Sequence, residues 1–164
     1  MSHALYGLRE TRMNTQQQKA EMTQLTTFWV ADGLFGINAL QVQEILPYQK
    51  ISPVPLAPDY IKGLINLRGQ IVTVLDSRRR LGFDPLVDET GGTNLIVETE
   101  DGQMSVFVDQ IGNVIDVQTD RLLPPPGNVQ GVAVQYIHAV CQLDEELLIM
   151  LDLESFVALT PAGN

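Results

Sequence analysis

The chain has 164 residues, enough for one ordinary domain or two very small ones, and 45% of them are hydrophobic, enough for a sizeable core. Its formal net charge is −10, from 10 basic and 20 acidic side chains, which argues against non-specific nucleic-acid binding and against an anionic membrane surface. One cysteine, Cys141, excludes a disulfide framework within the chain. No apolar run approaches the length of a membrane-spanning helix, and Met1–Arg12 lacks the apolar core of a signal peptide, so the expectation is a soluble, cytoplasmic protein.

Residues 1–22 are polar and rich in glutamine and read as a loosely ordered extension, with a frayed helix around Thr15–Met22. From Thr23 the pattern becomes β. Leu25–Val30 and Phe35–Ala39 flank Asp32-Gly33, a two-residue hairpin signal, and Val42–Tyr48 is a further strand. Pro47, Pro53, Pro55 and Pro58 punctuate the connection that follows, and Pro58–Ile61 reads as a helical turn. Leu64–Leu67 and Ile71–Asp76 are strands on either side of Arg68-Gly69-Gln70. Ile71–Leu75 is almost continuously apolar, the pattern of a strand buried on both faces. Ser77 can cap a short helical turn that ends at Gly82.

Residues 84–93 form the best internal boundary. Beyond it, Leu95–Glu98 and Met104–Val108 flank Asp101-Gly102, Asn113–Val117 is another strand, and Pro124-Pro125-Pro126-Gly127 is a fixed loop. Val134–Leu143 and Leu147–Leu151 form a hairpin, and Asp152–Leu159 a closing helix with Pro161 beyond its end. The halves echo one another. Asp32-Gly33 recurs as Asp101-Gly102 at an offset of 69, Ile37–Leu40 as Val108–Ile111 at 71, and Val72–Asp76 as Leu148–Asp152 at 76. The reading is two small β subdomains of about 70 residues, each curled into a barrel that removes its edges.

Charge is divided along the chain. Residues 48–82 carry a net +4 and residues 83–164 a net −13, a dipolar layout that suits oriented docking with protein partners.

Tests for chemistry are negative. The two histidines, His3 and His138, have no Ser or Cys motif beside them, so a nucleophilic triad is not built. His138 and Cys141 have metal-like spacing, but residues three apart on a strand point to opposite faces, and two further soft ligands are lacking. Asp76-Ser77 resembles half of an aspartic-protease motif without its glycine and without a second copy; Asp76 and Asp152 read instead as caps of the helical turns that follow. There is no phosphate-binding glycine loop. The expectation is a protein with no catalytic residues, no metal and no cofactor.

One set of runs is specific: Phe35-Gly36-Ile37-Asn38, Val42-Gln43-Glu44-Ile45, Pro53-Val54-Pro55, Ala57–Gly63, Ile65-Asn66-Leu67-Arg68-Gly69 and Val74-Leu75-Asp76. At this spacing they resemble the CheW-type chemotaxis coupling proteins, and the resemblance continues through Val106–Asp109, Asn113–Ile115 and Leu147–Leu153. It covers about residues 23–160.

The resemblance implies a mainly β fold of two SH3-like five-stranded barrels with short helices, packed on a shared apolar seam. With the boundary above, the barrels would be residues 23–86 and 87–160, the second carrying the C-terminal helix. It also implies a non-catalytic adaptor that joins the cytoplasmic tips of methyl-accepting chemoreceptors to the regulatory domain of the histidine kinase CheA, and that is cytoplasmic and held at receptor arrays through its partners. Ring assembly in those arrays is open to such an adaptor.

The family's receptor groove maps to Ala39, Val42, Glu44, Gly63, Arg68, Gly69, Met104 and Ser105. Arg68 and Glu44 would be polar orienters over an apolar floor, or an internal pair bracing the groove. The kinase contact maps only to a region, chiefly the second barrel. Ala139 stands where the family usually has glycine, and Lys50 with Arg78–Arg80 makes the first barrel unusually basic. Two alternatives stay open: an adaptor for a non-flagellar pathway (type IV pili or second-messenger control), and a regulatory-domain fragment of a signalling kinase. No receiver pattern follows within the chain, which disfavours an adaptor fused to a receiver domain.

Overall fold

A computed structural model describes residues 21–159; the expected frayed helix Thr15–Met22 lies outside the described residues except at its end, where Met22 is instead the first residue of a strand, and the proline beyond the closing helix lies outside them too. Ten strands form, and each overlaps a segment read from the sequence. They are β1 (Met22–Val30), β2 (Gly33–Asn38), β3 (Val42–Pro47), β4 (Ile61–Leu67), β5 (Gln70–Asp76), β6 (Thr93–Thr99), β7 (Gly102–Val108), β8 (Gln110–Gln118), β9 (Ile137–Gln142) and β10 (Leu147–Leu151). Two short helices follow strands: α1 (Ser77–Leu81) after β5 and α2 (Leu153–Val157) after β10.

The strands make two five-stranded sheets. One, the terminal sheet, has the order β8-β1-β2-β10-β9; the other, the middle sheet, has the order β3-β6-β7-β5-β4. Division at residues 84–93 into 23–86 and 87–160 therefore does not match the sheets. The middle sheet is built from Val42–Val108 without interruption, and the terminal sheet gathers both ends of the described chain.

The internal repeat is nonetheless visible in three dimensions. Hairpin β1–β2 corresponds to β6–β7, and β10 lies parallel to β2 as β5 lies parallel to β7. What the repeat hides is an exchange. After β2, the 3-10 turn Ala39–Gln41 carries β3 across to pair with β6; after β7, Asp109 alone carries β8 back to pair with β1. Each sheet thus combines a hairpin from one half with three strands from the other.

Alternation along these strands builds three cores. On β2, Phe35 and Ile37 point to a core shared by both sheets, while Leu34 points to the terminal sheet's own core. On β7, Met104, Val106 and Val108 point to the shared core and Phe107 to the middle sheet's own. Both α helices seal the shared core, through Leu81 and through Leu153, Phe156 and Val157. Burial on both faces explains the near-continuous apolar runs of β10 and of Val72–Leu75 in β5, whereas Ile71, expected to be buried with them, is exposed beside the hairpin tip.

Several turns differ from their sequence reading. The β1–β2 loop is Ala31-Asp32, with Ala31 at φ 51°, and Gly33 already pairs with Val30 as the first residue of β2. The β6–β7 loop is likewise Glu100-Asp101, one residue earlier than read; Thr99 Oγ1 accepts from Asp101 N at 3.1 Å and fixes it. Pro58–Ile61 is a reverse turn closed by Ile61 N donating to Pro58 O at 3.0 Å, not a helical turn. Residues 134–136, read as strand, are a 3-10 turn leading into β9.

The cap of α1 is Asp76, whose carboxylate accepts from Arg78 N at 3.0 Å and Arg79 N at 3.4 Å. Ser77, read as a cap, is fully buried and donates to Phe107 O instead. Gly82 closes the helix at φ 89°.

Leu56 occupies the second central position of the turn Val54–Ala57, where Ala57 N donates to Val54 O at 3.3 Å. It is fully exposed and held at φ 66°, a conformation that glycine adopts freely. Leu56→Gly is expected to raise stability by about 0.5–1 kcal/mol, the backbone strain relieved exceeding the extra unfolded-chain entropy. A urea midpoint equal to or below that of the parent would show that the turn is not strained.

Candidate functional site

Arg68 stands at the tip of the β4–β5 hairpin. Leu67 pairs with Gln70, so Arg68 and Gly69 are the two loop residues, at φ 52° and 85°. Positive φ at both positions is what a type I′ hairpin turn requires. Gly69 meets it without cost, and nothing stands within 4 Å of where its Cβ would lie. Arg68 pays a steric cost, and two local bonds hold it there. Asn66 Oδ1 accepts from Gly69 N at 2.9 Å. The guanidinium forks onto Glu44, with Nη1–Oε1 at 3.1 Å and Nη2–Oε2 at 2.5 Å. A strained, polar, exposed residue held by a bidentate partner is the kind of outlier that motivates a functional reading.

Glu44 lies on β3 and Arg68 beside β4, the two edge strands of the middle sheet, so the pair ties its open margins together. The Arg68 side chain is 69% exposed and that of Glu44 30%. The hydrogen bonds from Arg68 lower the pKa of Glu44 below its usual 4.5. A lowered folded-state pKa means that the unfolded chain binds more protons in this window. The pair's contribution is therefore complete above the unfolded value and is lost as pH falls through the folded one. In a carbon-detected titration, the Glu44 carboxyl midpoint is expected below the usual carboxylate range, and in Arg68→Ala it should return to that range. Equal midpoints in the two proteins would mean that the fork does not persist in solution.

The other expected groove residues divide by exposure. Ala39 and Val42 are half-buried, Val42 packing against the shared core. Gly63 is buried where Ile51-Ser52 crosses β4; an added Cβ would overlap the Ser52 carbonyl oxygen and lie 2.7 Å from Ile51 Cγ2. Met104 is buried in the shared core. Ser105 is fully buried and donates to Asn94 Oδ1 at 2.8 Å inside the middle sheet. Gly63, Met104 and Ser105 are therefore buried within the fold, unlike Arg68 and Gly69.

An open groove of about 580 Å³ adjoins the Arg68 turn, lined by Gln70, Ile71, Val72, Glu98, Asp101, Gly102 and Gln103. None of the eight expected residues lines it, and it lies on the middle sheet itself. Gln43 bridges its rim, accepting from Gln103 Nε2 and donating to Glu98 Oε2 at 2.9 Å.

The basic stretch is largely consumed within the fold. Lys62 Nζ lies 2.6 Å from Glu89 and 4.0 Å from Asp76, above the Phe107 ring. The Lys62 ammonium lowers the pKa of Glu89. Arg78 forks onto Asp109, with Nε–Oδ1 at 2.9 Å and Nη2–Oδ2 at 2.7 Å. Arg80 donates to backbone carbonyls at the end of α2. Among the described residues, Lys50, Arg79 and Arg80 of this stretch have no carboxylate in salt-bridge range, and Arg80 alone of the three is held by carbonyls instead. No local sequence signal marks half-buried Arg78 and Arg80 as engaged within the fold and Arg79 as exposed.

On β9, His138 is exposed and Cys141 buried, on opposite faces, and no group of three or more metal-ligating side chains is placed to hold an ion among the described residues. No helix among the described residues is long and apolar enough to cross a membrane.

Two interlocked five-stranded units, with an exposed, strained arginine at a hairpin tip, define a mainly β protein of the two-subdomain class. The CheW-like domain family matches residues 24–160. The chain is 33% identical over 137 residues to the chemotaxis protein CheW of Treponema pallidum, covering 81% of each chain. It is 31% identical over 130 residues to the chemotaxis protein CheW of Bacillus subtilis, covering 78% of this chain and 82% of that one. The fold superposes on the crystal structure of the scaffolding protein TtCheW from Thermoanaerobacter tengcongensis with a TM-score of 0.76 at 26% identity, covering 83% of this chain and 88% of that one. The chain belongs to the CheW-like family, and is a non-catalytic scaffolding adaptor of chemotaxis signalling.

Proposed function

We propose that this adaptor couples transmembrane chemoreceptors to a CheA-type histidine kinase, binding the cytoplasmic tip of the receptor and the regulatory domain of the kinase, and that it resides in the cytoplasm at receptor arrays. The observation that carries the reading is the exposed, conformationally strained Arg68 at a hairpin tip, within a chain whose family match spans residues 24–160. Arg68, Gly69, Glu44, Ala39 and Val42 form the receptor-facing edge in this reading. Gly63, Met104 and Ser105 support that edge from beneath. The planar fork of Arg68 suits a carboxylate or a pair of carbonyls on a receptor helix. A scaffold that bound both kinase states equally would shift nothing, so control of the kinase requires contacts that differ between those states.

The test is co-purification of the folded chain with a cognate kinase and with receptor cytoplasmic fragments. Retention of both, and of the ternary complex, is expected. A folded chain that retains neither would overturn the reading.

A further inference from the structure

We propose that Arg78 and Arg80, two side chains of the five-residue helix α1, are positioning residues that set the angle at which the two sheets of this adaptor are held.

Apolar burial glues the sheets together but has little directional preference. Bidentate guanidinium bonds do have direction. Both arginines belong to the middle unit, since α1 continues β5, and both reach out of it. Arg78 forks onto Asp109, the single residue on which the chain crosses back from β7 to β8. The same carboxylate accepts from Ala31 N at 2.7 Å, so it also holds the β1–β2 turn of the terminal sheet. Asp109 N in turn donates to Trp29 O at 3.1 Å.

Arg80 makes the second crossing. Its Nε donates to Phe156 O at 2.8 Å and its Nη2 to Ala158 O at 2.6 Å, capping α2 of the terminal unit from outside. Its guanidinium carbon lies 4.3 Å from the Tyr60 ring centroid of the middle unit and 5.1 Å from that of Tyr136 of the terminal unit. A plane held between two rings and two carbonyls has one orientation. Arg79, between them, points to solvent and joins neither contact. The shared core keeps the sheets together, and the two forks fix their angle.

The test places spin labels at exposed strand positions of the full chain, at His138→Cys on the terminal sheet and Ile71→Cys on the middle one, with Cys141→Ala removing the native thiol. The parent should give one narrow distance distribution by double electron–electron resonance. Arg78→Gln with Arg80→Gln should shift or broaden it while strand amides of both sheets keep their hydrogen-exchange protection. An unchanged narrow distribution would overturn the proposal, because the apolar seam alone would then set the angle. Should the double variant unfold, Arg80→Lys decides the question. It keeps the charge and loses the fork: a displaced distribution in the folded protein supports the proposal, and the parental one overturns it. None of these outcomes depends on whether Arg68 contacts a receptor.

Discussion

Gly63→Ala should lower stability by about 3 kcal/mol, the upper range for overpacking a site that cannot relax. The neighbour that an added methyl would strike is backbone: the Ser52 carbonyl, held against β4 by Ser52 N donating to Leu64 O at 2.9 Å and Leu64 N donating to Ser52 O at 2.8 Å. Relief would require giving up both bonds. In urea the midpoint should fall by about 1–2 M, given the usual slope for a small domain. Any loss of receptor binding should follow the unfolded fraction and disappear at a temperature where the variant is folded. A variant as stable as its parent that still fails to bind would return Gly63 to the contact surface.

Arg68→Ala should have the opposite signature, with at least about a tenfold loss of receptor affinity, as for a truncated interface arginine, and a melting temperature within a few degrees of the parent. Arg68 is exposed, so its removal leaves no cavity, and its φ of 52° is no worse for alanine than for arginine. Arg68→Gly makes the separation sharper, because it removes the guanidinium and relieves the turn at once. Glu44→Gln then divides two meanings of the pair. If Glu44 only steers Arg68, the double variant should bind no worse than Arg68→Ala alone. If both touch the receptor, the losses should add. Unchanged affinity in Arg68→Ala would remove Arg68 from the receptor surface.

The charge division along the chain reads differently once the side chains are placed. The +4 of residues 48–82 includes Lys62, Arg68, Arg78 and Arg80, all of which are engaged within the fold. Little of that excess is left as a free basic face. The acidic excess of residues 83–164 is mostly exposed, at places such as Asp116 and Asp144-Glu145-Glu146. Salt-dependent docking would then draw on the acidic surface far more than on an opposed pair of patches.

The strands themselves were legible because their cause is local. Alternating or continuous β-branched and apolar residues bounded by turn residues mark a strand wherever its partners lie, and Leu25–Val30, Ile71–Asp76 and Leu147–Leu151 all fall within observed strands. The family resemblance implied that Arg68 and Glu44 are polar orienters of a groove or an internal bracing pair, and a fork between them is present. The repeat was legible as well, and the equivalent hairpins carry it.

Pairing was not legible. Nothing in Val42–Pro47 says that it will leave β2 and join β6, because a strand's pattern specifies which faces are buried and not which neighbour buries them. The exchange of β3 and β8 between sheets, the burial of Gly63, Met104 and Ser105, and the inward use of Arg78 and Arg80 were all decided by contacts between residues distant in sequence. By itself the sequence determined ten strands, a repeat and the Arg68-Gly69 hairpin tip. Tertiary structure decided which strands share a sheet and which charges remain outside, since both depend on long-range burial that no local pattern encodes.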